Sequence, residues 1–167
     1  MFGWIPNAHV KLPVTTEGLK AAERLVKEGI RINMTLCFSQ EQAAAVYAAT
    51  SGASEGQVFV SPFIGRLDDQ GQNGMDLIQN ILTMYQAGDG HVEALTASVR
   101  NLDHLYAAIQ LKSDIITCPF TIIKEWADAG TPLPKDDFRY APAGLTAIEY
   151  KEFGLNKPWR EYDIQHE

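Results

Sequence analysis

A chain of 167 residues, 46% hydrophobic and 21% charged, is long enough for one buried core and does not demand two domains. Its net charge of -7 argues against nucleic acid or an anionic membrane as the main partner, and no stretch approaches the roughly 20 apolar residues of a membrane span. Cys37 and Cys118 are too few for a disulfide scaffold, the four scattered histidines add no spaced metal motif, and the N-terminus lacks a signal-peptide pattern. A cytoplasmic protein without metal is the expectation.

Apolar periodicity switches repeatedly along the chain. "HVKLPV" (9–14) reads as a strand, followed by a helix over 16–28 with Leu19, Ala22, Leu25 and Val26 on one face and Gly29 as its stop. "RINMTLCF" (31–38) precedes a helix at about 40–50, where Ser39 and Gln42 fit a capping box. "VFVSPFIG" (58–65) leads through a Gly-rich turn to a helix over 74–87. "HVEALTAS" (91–98) precedes a helix over 101–112 that Asn101 can cap, and "DIITCPF" (114–120) precedes a helix over 121–129 that ends at Gly130. Five strand–helix units joined by short loops predict an α/β fold with a parallel sheet. Residues 131–167 break the rhythm and read as an ordered, irregular extension, which Trp159 and Tyr162 should pack onto the rest.

Alternate strand residues share a face. Lys11 opposes Val10 and Leu12; Asn33, Thr35 and Cys37 oppose Met34, Leu36 and Phe38; Ser61 and Phe63 oppose Val60 and Ile64; Thr96, Ser98 and Arg100 oppose Leu95, Ala97 and Val99. One apolar face and one polar face per strand fits a (β/α)8 barrel, whose helices cover the outside and whose strand C-termini build the site. A doubly wound sheet buries both faces and asks for more uniformly apolar strands. An inward lysine is costly as a charge, and desolvation would favour the neutral amine, a nucleophile toward carbonyls. Arg66 and Arg100, at the ends of neighbouring strands, would clamp a phosphate, with backbone amides of "GRLDDQGQNG" assisting. The combination suggests Schiff-base chemistry on a phosphorylated sugar.

At these residues the sequence resembles the transaldolase family, which includes the fructose-6-phosphate aldolases. "HVKLPVTTEGLKA", "INMTLCFSQEQA", "FVSPFIGRLDD", "ALTASVRN" and "IITCPF" occur in the family's order over residues 8–130. The resemblance implies that Lys11 is the Schiff-base lysine of the fourth barrel strand and that Thr35 helps hold a catalytic water. It implies that Asn33 contacts substrate hydroxyls, that Ser61 faces the substrate, and that Arg66, Ser98 and Arg100 bind phosphate. Phe63 stands where transaldolases tend to have Phe and the aldolases Tyr, which favours transfer over cleavage. No cofactor or metal is implied.

The same resemblance implies that the chain begins at the fourth strand. It would then cover strands 4–8, with residues 1–130 a partial barrel and 131–167 a C-terminal extension, whereas a full barrel takes about 250 residues. The three missing units supply carboxylates and an asparagine in the family, so turnover by this chain alone is open. Two open sheet edges predict a homo-oligomer. Alternatives are a fructose-6-phosphate or deoxyribose-phosphate type lysine aldolase, a non-catalytic sugar-phosphate-binding fragment, and a purely structural unit. At the level of single residues, Lys11 could pair with Glu93 and Arg66 with Asp68 or Asp69. Asp68 and Asp69 read as a solvated turn, and His104 and His166 as surface residues.

Overall fold

The structure is a computed structural model that describes residues 4–165, so His166 lies outside the described residues. The elements are β1 (Val10–Pro13), α1 (Thr16–Lys27), β2 (Ile32–Cys37), α2 (Gln40–Ala49), β3 (Val58–Pro62), α3 (Ile64–Asp69), α4 (Gly74–Tyr85), β4 (Val92–Thr96), α5 (Leu102–Gln110), β5 (Ile115–Ile116) and α6 (Phe120–Asp128). Their N-caps follow local chemistry. The side chains of Thr15, Ser39, Asn73 and Asn101 accept amides of the first turns of α1, α2, α4 and α5. Ser39 Oγ takes the Gln42 amide, but Gln42 Oε1 returns to the Phe38 amide, one residue before the cap. α3 departs from the expected pattern, in which residues 64–65 end the strand segment and a Gly-rich turn follows.

The strands form one parallel sheet in chain order, β1 to β5. One face is sealed by helices: Ile32, Met34, Val58, Val60 and Ala94 are fully buried there, with Leu19 and Ala22 of α1, Ala43 to Val46 of α2 and Leu77 and Ile81 of α4. Each valine, leucine, isoleucine or methionine among them contributes about 1.5–3 kcal/mol by leaving water. A second cluster of Ile64, Ile78, Leu105, Ala108 and Ile122 joins α3 to α6. On the other face Lys11, Asn33, Phe59, Glu93 and Leu95 stay exposed or half-buried. Helices on a single face and a polar-bearing opposite face are the pattern of a barrel wall, and five parallel strands with six helices are consistent with the TIM-barrel class.

Two parts of the expected face pattern are corrected. Leu36 has φ +59° and interrupts the β2–β3 register between Thr35 and Cys37. The twist turns Leu36 out to solvent and drops Cys37 into the core, where burial pushes its thiol up to about 12. Thr96 belongs to the helix-covered face with Val92 and Ala94; its Oγ1 bonds Ser113 Oγ at 2.8 Å, and Leu95 takes the open face instead.

The tail is ordered because α2 and α4 satisfy its backbone. Gln40 bonds both the carbonyl and the amide of Lys151, at 2.6 and 3.1 Å. Gln42 donates to Ile164 O, Asn80 donates to Ile148 O, and Asp76 accepts the Ile148 amide. A strand-like bridge joins Gln72 to Thr146. With its partners supplied by side chains, the segment needs no periodicity of its own.

α1 turns back tightly on β1. A Cβ at Gly18 would lie 1.9 Å from the Pro13 carbonyl oxygen, and backbone cannot step aside as a side chain can. Gly18→Ala is expected to cost about 3 kcal/mol, the upper end of overpacking penalties. A urea midpoint equal to that of the wild type would show that β1 and α1 separate freely.

Candidate active site

Parallel pairing stacks the polar residues in layers. Lys11 lies opposite Asn33, Asn33 opposite Phe59, and Phe59 opposite Glu93. One layer on, toward the strand C-termini, Pro13, Thr35 and Ser61 align. Phe63 follows β3 as the residue before α3 and bridges to Ala97. Its ring centroid is 5.8 Å from Lys11 Nζ, a cation–π distance.

Lys11 is exposed, and among the described residues its ammonium forms no ion pair, with Glu93 or any other acid. The expected desolvation is therefore absent: the open face leaves water in contact with the amine. Glu93 is half-buried at the same level, its carboxyl raised by burial and by Asp114 and Glu55. Ser61 Oγ donates to Asn33 Oδ1 at 2.6 Å, so these two substrate-binding candidates hold one another. Thr35 is 6% exposed, and its Oγ1 is buried without a hydrogen-bond partner. A buried hydroxyl is rarely left unpaired, which makes Thr35 Oγ1 a candidate contact for a bound group.

The arginines behave differently from one another. Arg66, on α3, is exposed and its side chain makes no ion pair or hydrogen bond among the described residues. Arg100 is the residue that meets the acidic pair: its Nη2 lies 2.9 Å from Asp69 Oδ2, and its Nε donates to Ser98 Oγ at 3.3 Å. Ser98 has φ +64°. Gly65 makes this turn possible, because a Cβ there would come within 2.6 Å of the Arg100 side chain and 2.4 Å of Ser98 O. The loop amides expected to help bind phosphate are already taken. Those of Gly65, Arg66, Gly71 and Gly74 bond Ser98 O, Phe63 O, Asp68 O and Asp68 Oδ1.

Three residues of this cluster escaped the sequence. Asp68 and His104 are not surface groups: their side chains are 18% and 2% exposed and meet at 2.8 Å. Tyr140, from the tail, reaches His104 Nε2 at 2.9 Å. The only local signal was the Asn101–His104 spacing, which is a cap spacing; nothing local couples 68 to 104 or 140.

The sequence profile described as Transaldolase/Fructose-6-phosphate aldolase matches residues 1–157. The chain belongs to that family. A probable transaldolase of Roseiflexus castenholzii is 46% identical over 122 residues, 73% of this chain and 54% of that protein. One from Brucella ovis is 49% identical over 118 residues, 71% of this chain and 52% of that protein. The chain thus spans about half the length of these transaldolase relatives. No helix among the described residues is long and apolar enough to cross a membrane.

A cavity of this family member lies elsewhere. About 690 Å³ in volume, it sits at the N-terminal ends of the strands, between Tyr47, Asp89, His91 and tail residues 152–158. Asp89 accepts Tyr47 Oη at 2.5 Å and contacts His91 Nδ1; these bonds hold its carboxyl well below the usual range. His91 Nε2 meets Thr50 Oγ1 and Tyr47 O, so the ring is fully engaged in packing. His9 likewise stacks on Phe59 and bonds Gly56 O. His9 thus borders the Lys11 layer through the Phe59 ring, whereas His91 is held against α2.

Proposed function

We propose that the chain carries the Schiff-base half of a transaldolase site, which transfers a three-carbon dihydroxyacetone unit between sugar phosphates. The observation that carries this reading is the pairing of an exposed Lys11 amine, without an ion pair among the described residues, with the buried Thr35 hydroxyl, unpartnered among them, one layer away. In this reading neutral Lys11 Nζ bonds to C2 of a ketose phosphate, and the carbonyl oxygen leaves as water. The iminium accepts the electron pair of the C3–C4 bond, the aldehyde departs, and the enamine adds to an acceptor aldehyde. Water held at Thr35 returns C2 to a carbonyl and frees the lysine. Asn33 receives substrate hydroxyls, and Ser61 faces the substrate. Arg66, Ser98 and Arg100 hold the distant phosphate, so binding energy far from the reacting carbons orients them. Phe63 beneath the amine, rather than tyrosine, supports transfer over simple cleavage. No organic cofactor or metal enters these steps.

The proposal includes the strand 4–8 assignment, residues 131–167 as an extension of the barrel wall, a cytoplasmic location, and association of copies through the β1 and β5 edges. A monomer in sedimentation velocity at micromolar concentration removes the last part. A second reading, sugar-phosphate binding without turnover, is favoured by the exposure of Lys11. Incubation with fructose 6-phosphate and borohydride, followed by intact mass and peptide mapping, separates the two. A sugar-derived adduct on Lys11 is expected. Protection from heat by fructose 6-phosphate without any adduct would replace the first reading by the second.

A further inference from the structure

His104 sits where α3, the Ser98–Arg100 turn and the tail meet. Its Nδ1 accepts the backbone N–H of Arg100 at 3.2 Å. Its Nε2 faces Asp68 Oδ2 at 2.8 Å and Tyr140 Oη at 2.9 Å. Because an N–H can only donate, the bond from Arg100 fixes the tautomer: Nδ1 bare, Nε2 protonated and shared by Asp68 and Tyr140. Asp68 is held in turn, since its Oδ1 accepts the Gly74 amide at 3.0 Å. The turn that His104 grips is the one that carries Ser98 in its left-handed conformation and the Arg100 guanidinium.

We propose that His104 is a positioning residue for the anion site: clasped by Asp68 and Tyr140, it pins the Arg100 amide and so fixes the Ser98–Arg100 turn that meets a phosphate. This rests on the phosphate role given to Arg100 under the proposed function. It also gives the tail a task, because Tyr140 is the tail residue that completes the clasp. The clasp requires a neutral ring. A second proton on Nδ1 would set two N–H groups against each other and release the turn. The groups facing the ring are Asp68, Asp103, Arg100 and Tyr140. Burial keeps the ring below its usual range against the pull of Asp68, and burial with Asp68 keeps Tyr140 a phenol. The clasp is therefore intact at neutral pH and opens as pH falls through the lowered His104 value.

The test uses the full chain, inorganic phosphate and sulfate. Calorimetry with phosphate is expected to show binding about three- to tenfold weaker in His104→Leu than in the wild type, the cost of one lost hydrogen bond to the turn. His104→Asn, whose amide oxygen takes the place of Nδ1, is expected to restore most of that loss. Sulfate does not change charge in mildly acid solution. Its binding should weaken in the wild type as pH falls through the His104 titration and stay level in His104→Asn. A nitrogen–nitrogen coupling across the Arg100–His104 hydrogen bond should be seen by NMR in the wild type. A folded His104→Leu that binds phosphate as the wild type does overturns the proposal, as does an unchanged sulfate profile across the histidine titration, which decides the matter if His104→Leu does not fold. Absence of the coupling overturns the positioning role alone. Coupling present with no anion bound by the wild type overturns the phosphate role of Arg100, and the proposal with it.

Discussion

Lys11→Met is expected to abolish the borohydride-stable adduct with fructose 6-phosphate while moving the melting temperature by only about 2–4 °C. The two halves of this expectation have different causes. Adduct formation needs an amine, and methionine matches the length of the stem without one. Stability needs little from this side chain, because Lys11 is exposed and, among the described residues, its ammonium meets only the Phe63 ring, at 5.8 Å. An exposed cation–π contact contributes about 0.5–1 kcal/mol, which in a chain of this size shifts melting by a few degrees at most. The measurement is mass spectrometry beside calorimetry on the same sample. An adduct that persists in Lys11→Met would place the reactive amine on another lysine and remove the central residue of the proposed site. A collapse of stability would show that Lys11 is structural and that the sheet face around it is not open in solution.

How far the sequence announces this arrangement depends on whether each feature is local. The strands and helices follow from periodicities of two and 3.6 and from Ser39, Asn73 and Asn101 at helix starts, and all of these act within a few residues. Lys11, Asn33 and Ser61 are legible as one face because an unbroken parallel ladder preserves parity. Parity fails where the ladder does. The left-handed Leu36 exchanges the faces of Leu36 and Cys37, and no turn residue warns of it. β5 is only Ile115–Ile116, at the sheet edge, where the run expected over 114–120 has a partner on one side alone. The acid–histidine–tyrosine clasp is the deepest omission. Asp68, His104 and Tyr140 look like surface residues in their own segments, and only the docking of α3, α5 and the tail removes them from water together. The same blindness applies to the lysine: its residue type was legible, but its exposure was not, because burial depends on what stands across the open face.

The largest stability effect is expected at the far end of the chain, in Trp159→Ala. Trp159 is 5% exposed and belongs to the main core with Leu19, Ala22 and Val46. Its Nε1 donates to Glu23 Oε2 at 3.1 Å, and the Arg160 guanidinium lies 4.2 Å from the ring. That indole bond is the first cause of the lowered Glu23 carboxyl, with Arg160 and Lys27 adding to it. Truncation removes the ring from the core and leaves a cavity between α1, α2 and the tail, at a cost of about 3–5 kcal/mol. Trp159→Phe keeps most of the packing and loses the bond to Glu23, so it should cost about 1 kcal/mol. Urea midpoints measure both. Hydrogen exchange decides how the loss spreads. The amides of Lys151 and Asp163, which bond Gln40 and Glu41 of α2, should lose protection in Trp159→Ala well before those of β2 and β3. If they exchange together with the sheet, the tail is part of the same cooperative unit as the barrel wall. If Trp159→Ala matches the wild type in midpoint, the tail adds nothing to the stability of the wall, and the clasp of Tyr140 on His104 must then be held by residues 131–148 alone.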